Sequence, residues 1–227
     1  MEVYVYMMSV NSPLTPSEEE DLRKRLSEER QNKIDKLRFE ADKRLSLGAG
    51  ILLDYGLKRY GLRERSEEFA KIENGKPVLK NHPDIQFNLS HSGDMVMAAF
   101  TKDCPLGCDV ERRQSARMDV AKRFFAPSEQ RVLMAAGNGE KRDLLFSRLW
   151  TLKESYIKAG GQGMAMALDS FAVELGTSPR ILGPDAPFYR FQEFSLPGYC
   201  ASVCVKRQDP AKGVTFFFSF QNLQDMV

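Results

Sequence analysis

The sequence predicts an α/β (α+β) fold in which two halves repeat one order of elements: a leading strand, then helices, then several strands. Three observations carry this. Apolar residues recur at three- and four-residue steps in some stretches, as on the inner face of a helix, and alternate at two-residue steps in others, as on a strand. Hydrophobic residues make up 42% of the 227 positions, enough to bury a core. The halves divide near the turn before Cys104, as 1–103 and 104–227, with no residue-level repeat and no Pro/Gly/Ser-rich linker between them.

The first element, Met1 to Val10, is apolar with Glu2 near its start and no basic leader, which reads as a strand and not as a signal peptide. Thr15-Pro16-Ser17 followed by Glu18, Glu19 and Glu20 starts a helix, because acids in the first turn face its unsatisfied amides. A second helical region runs from about Arg30 to Tyr60. Ile34, Leu37, Leu45, Ile51, Leu52 and Leu57 form its apolar face, and Lys33, Lys36, Arg38, Lys43 and Arg44 its basic residues. Phe69 to Ile72 and Pro77 to Leu79 flank Asn74-Gly75, a hairpin turn. Ile85 to Leu89 and Met95 to Phe100 read as strands joined by Ser90-His91-Ser92-Gly93.

In the second half, Leu106, Cys108 and Val110 alternate with Gly107, Asp109 and Glu111, so both carboxylates point to one face of a strand. Such a pair repels unless protons or a cation intervene. Val120 to Phe125 and Ser128 to Ala136 look helical, broken at Pro127; Phe124-Phe125 is core or a docking patch. Phe146 to Gly163 is the end of an amphipathic helix running into the glycine stop Gly160, Gly161 and Gly163. Leu149, Leu152 and Tyr156 form its apolar stripe, and Trp150, Glu154 and Lys158 stack along one line at steps of four. Four strand-like runs follow: Ser170 to Leu175, Phe188 to Phe194, Tyr199 to Val205 and Val214 to Phe220.

Charge narrows the function classes. Lys and Arg number 33 and Asp and Glu 31, interleaved along the chain, without the basic stripe of a nucleic-acid binder. No apolar run has the length of a membrane-spanning helix. Cysteines 104, 108, 200 and 204 lie in strand-like runs, an unsuitable spacing for a zinc site, and without a secretory signal they are expected reduced in the cytoplasm.

Three stretches occur in order: Phe87 to Gly93 (FNLSHSG), Gly107 to Glu111 (GCDVE) and Trp150 to Lys158 (WTLKESYIK), with Gly75-Lys76-Pro77 ahead of the first and Arg123-Phe124-Phe125 after the second. In this set the chain resembles the surfactin-type (Sfp-like) 4′-phosphopantetheinyl transferases. The resemblance implies two similar subdomains in pseudo-twofold arrangement with the active site between them. It also implies transfer of 4′-phosphopantetheine from coenzyme A to a serine of an apo acyl or peptidyl carrier protein, releasing adenosine 3′,5′-bisphosphate. Asp109, Glu111 and Glu154 would hold Mg²⁺ (or Mn²⁺), an ion that takes hard oxygen ligands. Glu154 would deprotonate the serine directly or orient a metal-bound water that does so, and the reading leans to the water. Lys158 would neutralise the pyrophosphate, with Lys153 assisting or merely solvated. Lys76, Ser90 and His91 would contact the coenzyme's phosphates, and Lys33 and Arg44 its 3′-phosphate. A monomer is expected, since such a chain completes its own cleft. Two other readings use the same residues: a metal-dependent phosphohydrolase, and a non-catalytic coenzyme A or carrier-protein binding module.

Overall fold

In the computed structural model, residues 1–72, 75–160 and 166–227 are described. The expected turn residue Asn74 and the glycines Gly161 and Gly163 lie outside them. The chain is a mixed α+β structure, as predicted. Strands β1 (Glu2–Ser9), β4 (Ile85–Ser92), β5 (Met95–Lys102) and β11 (Thr215–Asn222) form one sheet in the order β11-β1-β5-β4. Strands β6 (Leu106–Arg112), β9 (Tyr189–Leu196) and β10 (Tyr199–Lys206) form a second, in the order β6-β10-β9. The short pairs β2 (Phe69–Lys71) with β3 (Pro77–Leu79) and β7 (Val173–Glu174) with β8 (Arg180–Ile181) complete the strands. β11 runs parallel to β1, pairing Glu2 with Thr215. The last strand therefore hydrogen-bonds within the first half's sheet, a placement that chain order alone does not convey.

Helices α1 (Pro16–Arg23), α2 (Glu28–Asp35) and α3 (Glu40–Leu57) precede β2. The single helical region expected over 30–60 is thus two helices with Lys36 to Phe39 between them. α1 starts on the expected signal: Thr15 and Glu18 form a reciprocal capping box with Pro16 in the first turn. Helices α4 (Met118–Phe124), α5 (Pro127–Ala135) and α6 (Glu140–Gly160) lie in the second half. Pro127 opens α5 rather than breaking a longer helix, because its missing amide is one the first turn would leave unpaired anyway.

The two-residue period of the strands sorts the core into layers. Tyr4, Tyr6 and Met8 of β1 pack with Leu45, Leu52 and Leu53 of α3. Val3, Val5 and Met7, on the opposite face of β1, pack with Leu106, Cys108 and Val110 of β6 and Ala201 and Val203 of β10. The outer face of the second sheet carries Cys204 and Phe191 against Leu149, Leu152 and Tyr156 of α6. The order is α3, first sheet, second sheet, α6.

At one margin of this sandwich the two sheets meet through side chains. Asn88, Ser90 and Ser92 stand on one face of β4. Asn88 Oδ1 accepts from Cys108 N (2.8 Å), Ser90 Oγ from Val110 N (3.3 Å) and Ser92 Oγ from Arg112 N (3.1 Å). The unpaired edge amides of β6 thereby find acceptors, which buried amides require. The polar alternation N-x-S-x-S in β4 is the complement of a bare strand edge. β4 extends through Ser92, so Ser90 and His91 are strand residues, not loop residues as expected. The turn falls at Gly93, whose φ of +58° suits glycine; a Cβ there would stand 2.5 Å from the Tyr199 hydroxyl.

Candidate active site

The side-chain seam leads directly to the acidic pair on β6. Ser90 Oγ donates to Asp109 Oδ1 (2.9 Å) and Ser92 Oγ donates to Glu111 Oε2 (2.7 Å). Over this face lies α6. Gly107 lets it come close: a Cβ on Gly107 would stand 2.2 Å from Ser155 O and 2.4 Å from Ala159 N. The first residue of the G-x-D-x-E run is small because a helix backbone rests on it. The close approach brings Lys158 Nζ to 2.6 Å from Asp109 Oδ1, a charge-assisted bond. Trp150, Glu154 and Lys158, the line of side chains expected on α6, are half-buried, whereas Leu149, Leu152 and Tyr156 are buried.

Electrostatics couple the three carboxylates. Burial pushes the Asp109 carboxyl above its usual range, and Lys158 and Ser90 pull it part of the way back. Burial also raises Glu111, with the Asp109 charge adding to the rise. Glu154 is raised by burial, then by Asp109 and Glu111, against the opposing pull of Lys158. Burial works against the Lys158 ammonium, but contact with Asp109 outweighs it and holds that pKa up. Such mutual repulsion is what an added cation relieves. Among the described residues, however, no group of three or more His, Cys, Asp or Glu side chains stands in position to hold a metal ion. The expected convergence on one point is not preformed, and Lys158 lies on the Asp109 oxygen instead. One observation does fit a hard cation: Asp109 Oδ2 is buried without a hydrogen-bond partner. The donor set, oxygen throughout, suits Mg²⁺ or Mn²⁺.

Two hollows border this seam. One, of about 530 Å³, is lined by Arg30 and Lys33 of α2, Lys71 of β2 and His91 of β4, over apolar walls including Leu45 and Phe87. Burial, then the neighbouring charges of Lys33 and Lys158, lower the His91 pKa. The other, of about 370 Å³, is lined by Glu111, Arg117, Phe124, Phe146 and Trp150. A larger hollow of about 990 Å³, bordered by Tyr4, Arg59 and Lys212, contains none of these groups, and the chemistry belongs to the smaller two.

The structure thus brings together Asp109, Glu111, Glu154, Lys158 and Ser90, with Lys33 and His91 on the adjoining hollow. Arg44 is not among that hollow's lining residues, whereas the next two positions, Leu45 and Ser46, are. Lys76 Nζ donates to Leu106 O (2.7 Å) and Lys158 O (3.3 Å), tying the β2–β3 hairpin to β6 and to α6; burial pushes its pKa down to about 8. Lys153 corrects the expectation most clearly. Its side chain is 0% exposed, so it neither lies on a solvated face nor reaches a coenzyme. Its Nζ donates to both oxygens of Glu129 and to Phe171 O, all at 2.8 Å. Phe124-Phe125 divides between the two expectations: Phe125 is buried core, and Phe124 borders the smaller hollow.

Sequence reasoning missed Arg30, Lys71 and Glu129. Arg30 stands one helical turn before Lys33, a spacing that places both on one face. Lys71 and Glu129 carry no such local signal, because their partners are distant in the chain. The four cysteines are free and buried. No helix among the described residues is long and apolar enough to cross a membrane.

Residues 105–204 match the 4′-phosphopantetheinyl transferase superfamily, and residues 14–103 match the family described as 4′-phosphopantetheinyl transferase, N-terminal. The chain is 33% identical over 216 residues to the 4′-phosphopantetheinyl transferase Sfp of Bacillus subtilis (strain 168), covering 93% of this chain and 96% of that one. A second 4′-phosphopantetheinyl transferase from Bacillus subtilis is 35% identical, with 92% and 95% covered. The transferase HetI of Nostoc sp. is 32% identical, with 90% and 87% covered. With an acidic, lysine-bearing seam between two hollows and relatives at this identity over nearly its full length, the chain belongs to the Sfp-like 4′-phosphopantetheinyl transferases.

Proposed function

We propose that this phosphopantetheinyl transferase takes the 4′-phosphopantetheine arm from coenzyme A and places it on a serine of an apo acyl or peptidyl carrier protein, releasing adenosine 3′,5′-bisphosphate. The observation that supports the reading is the Lys158–Asp109 contact, with Glu111 lining the aromatic hollow and His91, which feels the Lys158 charge, lining the basic one. Arg30, Lys33, Lys71 and His91 suit the phosphates of the coenzyme, with its adenosine over the apolar wall. The 1–103 half then serves the coenzyme, and the 104–227 half carries the acidic site. The hollow beside Trp150 and Phe124 suits the carrier, whose serine must reach the same seam.

Asp109, Glu111 and Glu154 would hold Mg²⁺ or Mn²⁺, which when bound neutralises charge on the pyrophosphate oxygens. Lys158, released from Asp109, turns its ammonium to the pyrophosphate and offsets charge on the leaving bisphosphate. Glu154 receives the serine proton directly or through a water that it orients. His91, whose pKa burial and the Lys33 and Lys158 charges lower, donates an N–H to a phosphate oxygen. The protein's part is positioning and electrostatics, as in other phosphoryl transfers.

The test is intact-mass analysis of apo carrier protein incubated with coenzyme A, Mg²⁺ and the protein. A gain of one phosphopantetheine unit on the carrier serine is expected. Free phosphate without carrier modification, or coenzyme binding without turnover, refutes the proposal.

A further inference from the structure

We infer that Glu129 is a positioning residue: through Lys153 it sets the rotation and axial position of α6, and hence where the next residue, Glu154, faces. The inference rests on the reading that Glu154 works in the cleft. Glu129 is 1% exposed and Lys153 0%. The three protons of the Lys153 ammonium match three acceptors: Glu129 Oε1, Glu129 Oε2 and Phe171 O. Glu129 is equally occupied. Oε2 also accepts from Ala126 N (2.7 Å) and Oε1 from Val173 N (2.7 Å). The Phe171 and Phe125 rings flank the ammonium at 4.2 and 5.9 Å. One buried ion pair therefore joins the start of α5, the middle of α6 and the segment at Phe171 to Val173.

The arrangement has a geometric consequence. Successive helix residues project about 100° apart at 3.6 residues per turn, so pinning Lys153 on the core side turns Glu154 toward β6. Apolar packing is non-directional and tolerates small rotations of a helix. Hydrogen bonds are directional, and both partners here have no spare donor or acceptor for an alternative arrangement. The pair also binds the R-F-F stretch, through Phe125 and the residues just after it, to the W-x-x-K-E stretch. Glu129 and Lys153, 24 residues apart in the chain, thereby make the start of α5 and the middle of α6 act as one element.

The experiment compares wild type with Glu129→Gln and with the double variant Glu129→Leu/Lys153→Met. It measures the melting temperature, kcat, KM for coenzyme A, and the emission of Trp150, the only tryptophan, without coenzyme or metal. Replacing both members by apolar groups removes the two charges together, which is tolerated in other buried pairs, while Ala126 N, Val173 N and Phe171 O lose their partners, so the double variant is expected to fold with a lowered melting temperature. Its kcat should fall about 10²-fold, the scale of a misplacement of about 1 Å, with KM for coenzyme A within about threefold. Trp150, one turn before Glu154, should shift its emission maximum. A folded double variant with wild-type kcat and unchanged emission overturns the inference, because the pair then only fills the core. If the double variant does not fold, Glu129→Gln decides: a kcat loss of about tenfold or more in a protein that melts cooperatively supports positioning, and wild-type kcat overturns it. A wild-type protein that transfers nothing sinks the proposed function separately, and the Trp150 emission still tests the role of Glu129.

Discussion

Gly107→Ala perturbs the close approach of α6 to β6, on which the distance between Lys158 and Asp109 rests. The added Cβ would lie 2.2 Å from Ser155 O, 2.4 Å from Ala159 N and 2.6 Å from Lys158 Cβ, where ordinary contact begins at 3.4 Å. The shortfall against Ser155 O is 1.2 Å, and the obstacles are mostly helix backbone, which cannot step aside as a flexible side chain can. α6 must therefore lift from β6 by about 1 Å, the scale of misplacement that costs about 10²-fold in rate. Lys158 Nζ, now 2.6 Å from Asp109 Oδ1, moves beyond hydrogen-bond reach. Ser202 Oγ, which donates to Thr151 O at 2.7 Å and stands 2.9 Å from Ser155 Oγ, loses its partners as well. Forced overpacking of this kind costs roughly 1–3 kcal/mol. At roughly 2–4 °C per kcal/mol for a chain of this size, the melting temperature should fall by roughly 2–12 °C. Differential scanning calorimetry and steady-state carrier modification read both quantities. A variant that melts with wild type and keeps its kcat refutes the claim that a glycine is needed for close packing of α6.

Asp109→Ala should abolish turnover and remove any rise in melting temperature that Mg²⁺ produces in the parent protein; full activity in this variant excludes the metal assignment. Glu154→Gln should lower kcat by at least about 10²-fold, the typical contribution of a general base, and a loss of only a few-fold denies it that role. The same substitution tests the electrostatics without metal. Because burial, Asp109 and Glu111 raise the Glu154 pKa above 4.5, the folded chain holds a proton there that the unfolded chain has released. Wild-type stability from this group is therefore lost as pH rises from about 4.5 through the raised value, so Glu154→Gln should match wild type near pH 4 and melt higher at pH 8. Lys76 runs in the opposite direction. With its pKa lowered from 10.5 to about 8, the unfolded chain binds the extra proton, so wild type should gain stability relative to Lys76→Met as pH rises from about 8 toward 10.5. A pH-independent difference between the two would show that Lys76 is not desolvated.

The elements and the acidic site were legible wherever the cause is local. Thr15 and Glu18 cap α1 as their spacing demands, and the alternation through Gly107 to Glu111 does put Asp109 and Glu111 on one face. The i, i+4, i+8 line on α6 carries Glu154 and Lys158 to that face together. What misled was reading a residue's type as its environment. Lys153 looks like a surface or ligand-binding lysine in the sequence, because nothing near it announces that Glu129 lies buried against it. Ser90 looks like a phosphate contact until the bare edge of β6 supplies the amide and the carboxylate it serves.

The sequence by itself determined the periodicities, the caps and the family motifs, since these depend on neighbours within a turn or a strand pair. Only the tertiary structure decided that β11 returns to the first sheet, that Lys76 and Lys153 bond inward, and that the acids of β6 meet the lysine of α6. The physical reason is that a long charged side chain takes its partner from whatever packing brings within about 3 Å, and that partner can stand anywhere in the chain.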